Sequence, residues 1–313
     1  MASYYYPSVV AFLVGMEGNL EEPVEVANKF VLRKPYRTEM NEINHRIKNY
    51  FSHLPQIKSN YPLLEVNEKI PSGGTFTEYR ESVIRDGENI ILRAVTFLRL
   101  IRFGHLGFFC YFVPLANEEH SSYSFQYSHP HIGPKWNNYS LPYSLPKDLS
   151  HVKSLVGRFW DCKIEEIDAV RLFNKSFIER DLEDKLNDLV FGLEHLYLRK
   201  ESERSYLSYK LAMRCAFLLS DDTASRKHIF KNVRDGYRKR SKIIHSGERL
   251  VDNKETMCLI IELEDYLRKS IRTYLEHSEI FSSSKLDDQI LSGCGNPELA
   301  SKQKVENSIP MAL

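Results

Sequence analysis

The 313-residue chain has no excess of charge of either sign: 43 Lys and Arg stand against 42 Asp and Glu, a formal net charge of +1. That balance excludes a histone-like binder whose whole surface attracts phosphate, and leaves room for a local basic patch. No apolar run approaches the ~20 residues that cross a bilayer, so no membrane partner is expected. The apolar stretch Val9 to Gly15 has no basic residue ahead of it. Ser8 to Gly15 therefore reads as a buried strand rather than a secretory signal. Cysteine is sparse and scattered: Cys110, Cys162, Cys215, Cys258 and Cys294 contain no C-x-x-C pair. This excludes a disulfide framework and a zinc site by spacing, and the expectation is a cytoplasmic protein. P-loop, G-x-G-x-x-G, G-x-S-x-G and H-E-x-x-H motifs are also missing. ATP hydrolysis, dinucleotide redox chemistry and serine hydrolysis thus have no motif behind them, and neither cofactor nor metal is expected. His129-Pro130-His131 with His151 has no matching carboxylate pattern and reads as a loop with exposed histidines.

The texture of the chain changes near residue 150. Residues 1–150 mix strand-like and helical pieces, as in an α+β domain. Val24 to Val31 reads as a strand, and Thr38 as the N-cap of a polar helix from Glu39 to Phe51. Ser72-Gly73-Gly74 marks a turn. A helix over Glu81 to Arg102 and a buried strand over Gly107 to Leu115 follow. Ala116 to Leu149 has little periodicity and reads as a long loop or linker. Residues 151–280 carry helical periodicity. Leu182, Leu186, Leu189, Val190 and Leu193 give one apolar face, and Leu207, Leu211, Cys215 and Leu218 a second. A third helix starts at Asp221-Asp222 and stops at Gly247; a fourth spans Lys254 to Glu276. Amphipathic helices with short connections predict an all-α bundle. Residues 281–313, rich in Ser, Gly, Asn and Lys, read as a disordered tail.

One segment concentrates charge. Between Arg226 and Lys242 stand Arg226, Lys227, Lys231, Arg234, Arg238, Lys239, Arg240 and Lys242 against Asp235 alone. Each cation that neutralises a phosphate releases counterions, so this density is a candidate RNA-binding surface, with Arg234, Arg238, Lys239 and Lys242 as contacts. The plainer alternative is a solvated helix face balanced by the acidic stretch Glu179 to Asp188.

Within that segment, Arg240-Ser241-Lys242-Ile243-Ile244-His245 is an Arg and a His separated by four residues. It resembles the R-x4-6-H signature of the HEPN superfamily, the higher eukaryotes and prokaryotes nucleotide-binding domains. "YRKRSKIIHSG" is similar to a phrase of its Apea-like branch; "LVFGLEHLY" (Leu189 to Tyr197) and "YLSYKLAMRCAFLL" (Tyr206 to Leu219) resemble that branch's upstream helices, in order. The likeness covers about Val170 to Tyr274 and leaves the N-terminal half uncovered. Ser241 stands where many members have Asn, Asp or His, and Ser246 separates His245 from Gly247.

The resemblance implies that the all-α bundle over residues 151–280, behind the α+β N-terminal domain, is a HEPN helical bundle, and by family analogy gives that N-terminal domain a sensor or regulatory role. It further implies a metal-independent RNA endonuclease acting as a homodimer or higher homo-oligomer, with Arg240 and His245 catalytic. The associated biology is a toxin-like effector in bacterial anti-phage defence by abortive infection, set off by a phage-derived trigger or held by an antitoxin partner. The rival readings are a non-catalytic HEPN dimerisation and RNA- or nucleotide-binding module, and the HEPN subunit of a toxin–antitoxin pair. The chemistry is self-consistent. Histidine exchanges protons near neutral pH, and a guanidinium fork suits phosphorane oxygens as the 2′-hydroxyl attacks. Residues five apart sit ~140° around a helix, so the pair converges only if a second copy contributes. Ser241, Glu194, Arg214 and Tyr237 are supporting candidates. Glu194 either orients Arg240 or Arg214, or forms a plain interhelical ion pair. Arg214 either faces a carboxylate or reaches the cleft, and Tyr237 either stacks a base or packs the core.

Overall fold

A computed structural model describes residues 9–17, 20–37, 39–41, 44–45, 62–67, 76–116, 121–126, 141–179, 181–199, 201 and 205–292. Among these, the residues up to Lys163 form one compact unit and those from Ile164 another.

The first unit is α+β. Its sheet has the strand order β3-β4-β5-β1-β6-β7 with every neighbouring pair antiparallel. Strand β1 (Val9–Val14) is buried at all six positions, because a central strand covered on both faces needs an unbroken apolar run. Strand β2 (Met16–Glu17) follows at once. The stretch read as one strand, Val24 to Val31, is instead a hairpin. Ala27 (φ 50°) and Asn28 (φ 55°) adopt left-handed backbone and reverse the chain between β3 (Val24–Val26) and β4 (Phe30–Arg33). Of the helix expected over Glu39 to Phe51, residues 37, 39–41, 44 and 45 are helical; the rest, and Thr38, lie outside the described residues, as does the Ser72–Gly74 turn.

Strand β5 (Leu63–Val66) pairs with β1 and β4. Helix α1 (Phe76–Ile101) begins five residues before its expected start and buries Ile91, Val95, Phe97 and Leu98. Strand β6 spans Gly107–Ala116. The stretch taken as linker contains β7 (Ser121–Gln126), paired along β6, and β8 (Tyr143–Ser144), parallel to β2. Its alternation of Tyr123 and Phe125 with serines is a strand period written in small polar residues. Helix α2 (Ser150–Phe159) and the 3-10 turn after it close this unit. Trp160, 2% exposed, packs 5.9 Å from Phe30 and 6.0 Å from Phe97. That anchor moves the domain boundary from the expected residue 150 to Lys163.

The second unit is all-α. It runs through α3 (Asp168–Ser176), α4 (Leu182–Tyr197), α5 (Leu207–Leu219), α6 (Thr223–Ser246) and α7 (Lys254–Glu276), ending in α8 (Ser283–Ser292). Helix α7 is the axis of the core. A Cβ on Gly192 of α4 would lie 2.6 Å from the Leu267 side chain, and one on Gly236 of α6 2.7 Å from that of Leu263. Both glycines therefore let a neighbouring helix approach α7 closely. Helix α6 has the boundaries its sequence announces. Asp222 Oδ1 accepts from the Ser225 amide at 2.8 Å, and Gly247 (φ 62°) donates its N–H to Ile243 O.

The disordered tail expected from residue 281 is corrected by α8. Leu286 is 1% exposed, and Asp287 takes two hydrogen bonds of 2.9 Å from the buried Arg214. Residues 293–313 lie outside the described residues. Among the described residues no helix is long and apolar enough to cross a membrane.

Candidate nucleic-acid interface

Helix α6 is two-faced. Ile229, Val233 and Gly236 recur at helical spacing and are buried, which turns that side inward. Opposite them Lys227, Lys231, Arg234, Arg238 and Lys242 follow at steps of four, three, four and four residues, with His245 three further on. This places them in one stripe, ~22 Å long from Lys227 to Lys242. Lys227, Lys231, Arg238, Lys242 and His245 are exposed and Arg234 is half-buried. Acidic groups touch only the far end of the stripe. Arg238 lies 3.8 Å from Asp235 and Lys242 3.2 Å from Glu248, both pairs well exposed. Lys227, Lys231 and Arg234 have no acidic partner among the described residues. His245 is exposed and makes no side-chain hydrogen bond or ion pair among them. Lys239, expected to contact RNA, is half-buried and lies ~100° around the helix from Arg238, off the stripe.

Arg240 points the other way. Its guanidinium donates to Glu194 Oε1 at 2.9 Å and lies over the Phe191 ring, 3.8 Å from the centroid. The Tyr237 ring is 5.8 Å away, and Arg240 Nε is buried without a hydrogen-bond partner. Burial raises the Glu194 pKa against the opposing pull of Arg240. Burial, reinforced by Glu194, also raises that of Tyr237. Arg240, Glu194, Phe191 and Tyr237 thus form one cluster joining α4 to α6. Glu194 is an interhelical ion pair and at the same time orients Arg240; Tyr237 is a packing residue of this cluster. Half-buried Ser241 follows Arg240. A single chain brings Arg240 and Glu194 together and holds Arg240 and His245 on opposite sides of α6.

Arg214 is not part of this arrangement: of its two readings it takes the one that faces carboxylates, and it does not reach Arg240 or the stripe. Its side chain is 1% exposed and is held by Asp287, by Glu201 at 2.8 Å and by the Tyr197 carbonyl at 3.0 Å. A buried guanidinium needs such partners, and α8 supplies the bidentate one.

A second polar cluster was not foreseen. His228 and Asn232 of α6 meet Glu262 and Tyr266 of α7. His228 Nε2 and the Tyr266 hydroxyl lie 2.9 and 2.8 Å from Glu262 Oε2, and Asn232 donates to the same oxygen. Two polar pairs at i, i+4 on adjacent helices were its signal. Phe191, beneath Arg240, is half-buried and lies off the apolar face read from the sequence. A cavity of about 360 Å³ on another side of this unit is lined by Asp168, His195, Arg199, Tyr274 and Phe281, without any residue of the stripe. Among the described residues no three His, Cys, Asp or Glu side chains gather to hold a metal ion; His129 and His131 lie outside them.

Comparison with known protein families, characterised proteins and solved structures finds no match to this chain.

Proposed function

We propose that this protein is a metal-independent RNA endonuclease of the HEPN type, acting as a homodimer. The observation that carries the reading is the cationic stripe of α6 with the exposed His245 at its end, which has no side-chain partner among the described residues. Cations at helical spacing follow a phosphate backbone, and an open imidazole beside that track exchanges a proton with a ribose hydroxyl or a leaving oxygen. The 2′-oxygen loses its proton to a base and bonds to phosphorus, the P–O5′ bond breaks, and the 5′-oxygen takes a proton. The products are a 2′,3′-cyclic phosphate and a 5′-hydroxyl end. Arg240 supplies charge to the phosphorane once a second copy completes the cleft. A toxin-like role in anti-phage defence belongs to the same reading and rests on the family likeness alone.

The Arg240–Glu194 ion pair favours a second reading, a module that binds RNA along the stripe and leaves it whole. Incubating the protein and its His245→Ala variant with total RNA and tRNA in EDTA separates the two. Cleavage by the parent alone, with cyclic-phosphate ends, is the expected result. Intact RNA retained by both proteins, or equal cleavage by both, refutes the assignment of His245.

A further inference from the structure

Beside the stripe lies a group of aromatic rings that the core does not use. Tyr206 is 77% exposed and Tyr209 49% exposed, both at the start of α5. Tyr206 sits at the N-cap with φ 57°, in the left-handed region that large side chains rarely occupy. It gains no side-chain capping bond there, and its ring is left to solvent. The Tyr209 ring meets Phe230 of α6 edge-to-face, with centroids 5.5 Å apart and planes at 76°. The Arg234 guanidinium lies over the other partner of that pair, 5.8 Å from the Phe230 centroid. A continuous path therefore leads from a cation of the stripe through Phe230 to an open tyrosine on the neighbouring helix. Lys227 and Lys231 flank Phe230 at i−3 and i+1 without acidic partners among the described residues.

We infer that the α5–α6 hairpin is a platform for single-stranded RNA, whose bases stack on Tyr206 and Tyr209 while its phosphates follow Lys227, Lys231 and Arg234. The inference deepens the RNA reading above and rests on it, naming the class of RNA. Every base has a π-face that a tyrosine can take, but a base inside a duplex is already stacked and out of reach. Phosphate contacts alone would serve either form, so the exposed rings are what select the single strand. Asp221 and Asp222, ahead of α6, limit the track at that end by repulsion.

The test is fluorescence anisotropy in EDTA with a labelled 2′-O-methyl 12-mer, which 2′-hydroxyl attack cannot cleave, and with its duplex. The parent is expected to prefer the single strand. Tyr206→Ala and Tyr209→Ala should each weaken single-strand binding by about 5- to 150-fold, the range of base–aromatic stacking, and leave duplex binding unchanged. Tyr209→Phe should keep parental affinity, which separates stacking from loss of the hydroxyl. Tyr206 makes no ring pair among the described residues, so its alanine variant tests the platform without disturbing Phe230. Equal affinity for both forms, or alanine variants that bind the single strand as the parent does, overturns the inference while RNA binding stands. A parent that binds neither form overturns the RNA reading as well, and the rings then belong to a protein-docking surface.

Discussion

Removing charge from the α6 stripe should change how steeply RNA binding depends on salt, and the ion pairs in the structure set the size of that change. Lys227, Lys231 and Arg234 have no acidic partner among the described residues, whereas Arg238 and Lys242 are shared with Asp235 and Glu248. Each phosphate neutralised on a single strand contributes about −0.7 to the slope of log K against log salt concentration. Three free cations give a slope of about −2, and all five about −3.5. Between 50 and 200 mM KCl the affinity for the 2′-O-methyl strand should therefore fall by about 20-fold with three contacts and about 130-fold with five. The Lys227→Ala/Lys231→Ala double variant leaves one free cation, so its affinity should fall only about 3-fold over that range. Lys242→Ala should flatten the slope less than Lys231→Ala does, because Lys242 must first leave Glu248. Anisotropy titrations at several salt concentrations read all of these slopes. A parental slope shallower than about −1, or a double variant with the parental slope, would show that the stripe is a solvated helix face and no phosphate track.

Gly236→Ala should destabilise the bundle by about 1–2 kcal/mol: overpacking against the fully buried Leu263 costs more than the ~1 kcal/mol of helix propensity gained. Gly157→Ala in α2, where a Cβ meets nothing within 4 Å, should stabilise instead; thermal melts in which both variants shift the same way would sink the close-approach argument. Asp265 is buried between Arg268 and Lys269, which hold its carboxyl below the ordinary value of 3.8 against the opposing effect of burial. Its contribution is thus complete above pH 3.8 and lost as pH falls through the lower folded value. Asp265→Asn should cost about 3 kcal/mol at pH 7, with the difference from the parent shrinking in acid; urea unfolding that shows a pH-independent difference would refute this.

Legibility in the sequence followed the physics of each element. Helices α4 to α7 were readable because their apolar residues recur at helical spacing and because Asp222 and Gly247 are strong local start and stop signals for α6. Strand β1 was readable as an unbroken apolar run. Two features depend on partners distant in sequence and were missed for that reason: α2 is claimed by the first unit through Trp160, and α8 is held by a buried arginine 73 residues earlier. Strand β7, paired with the adjacent β6, was missed because serines fill its alternate positions. The site divides in the same way. The stripe is a periodicity and could be counted, and the opposed directions of Arg240 and His245 follow from a five-residue spacing. That Glu194 and Phe191 would enclose Arg240 depends on which faces of α4 and α6 meet, which spacing within one helix does not encode.

The enclosure of Arg240 divides binding from chemistry. On the RNA reading, the cations of the stripe reach phosphate with little prior loss, since among the described residues their acidic neighbours are absent or exposed. Arg240 is different. A phosphate that takes its guanidinium must replace Glu194 and leave a carboxyl that burial already disfavours as an anion without its counter-charge. The proton affinity of Glu194 rises as Arg240 leaves, so the exchange proceeds most easily with proton uptake there. Nothing comparable opposes His245. On the nuclease reading, RNA affinity therefore resides in the stripe, and the catalytic arginine is withheld by its own helix partner until a second copy shifts α6 against α4. On that reading, a guanidinium bound to Glu194 makes a single chain a binder, and cutting requires the second copy of the homodimer, which the stripe alone does not supply.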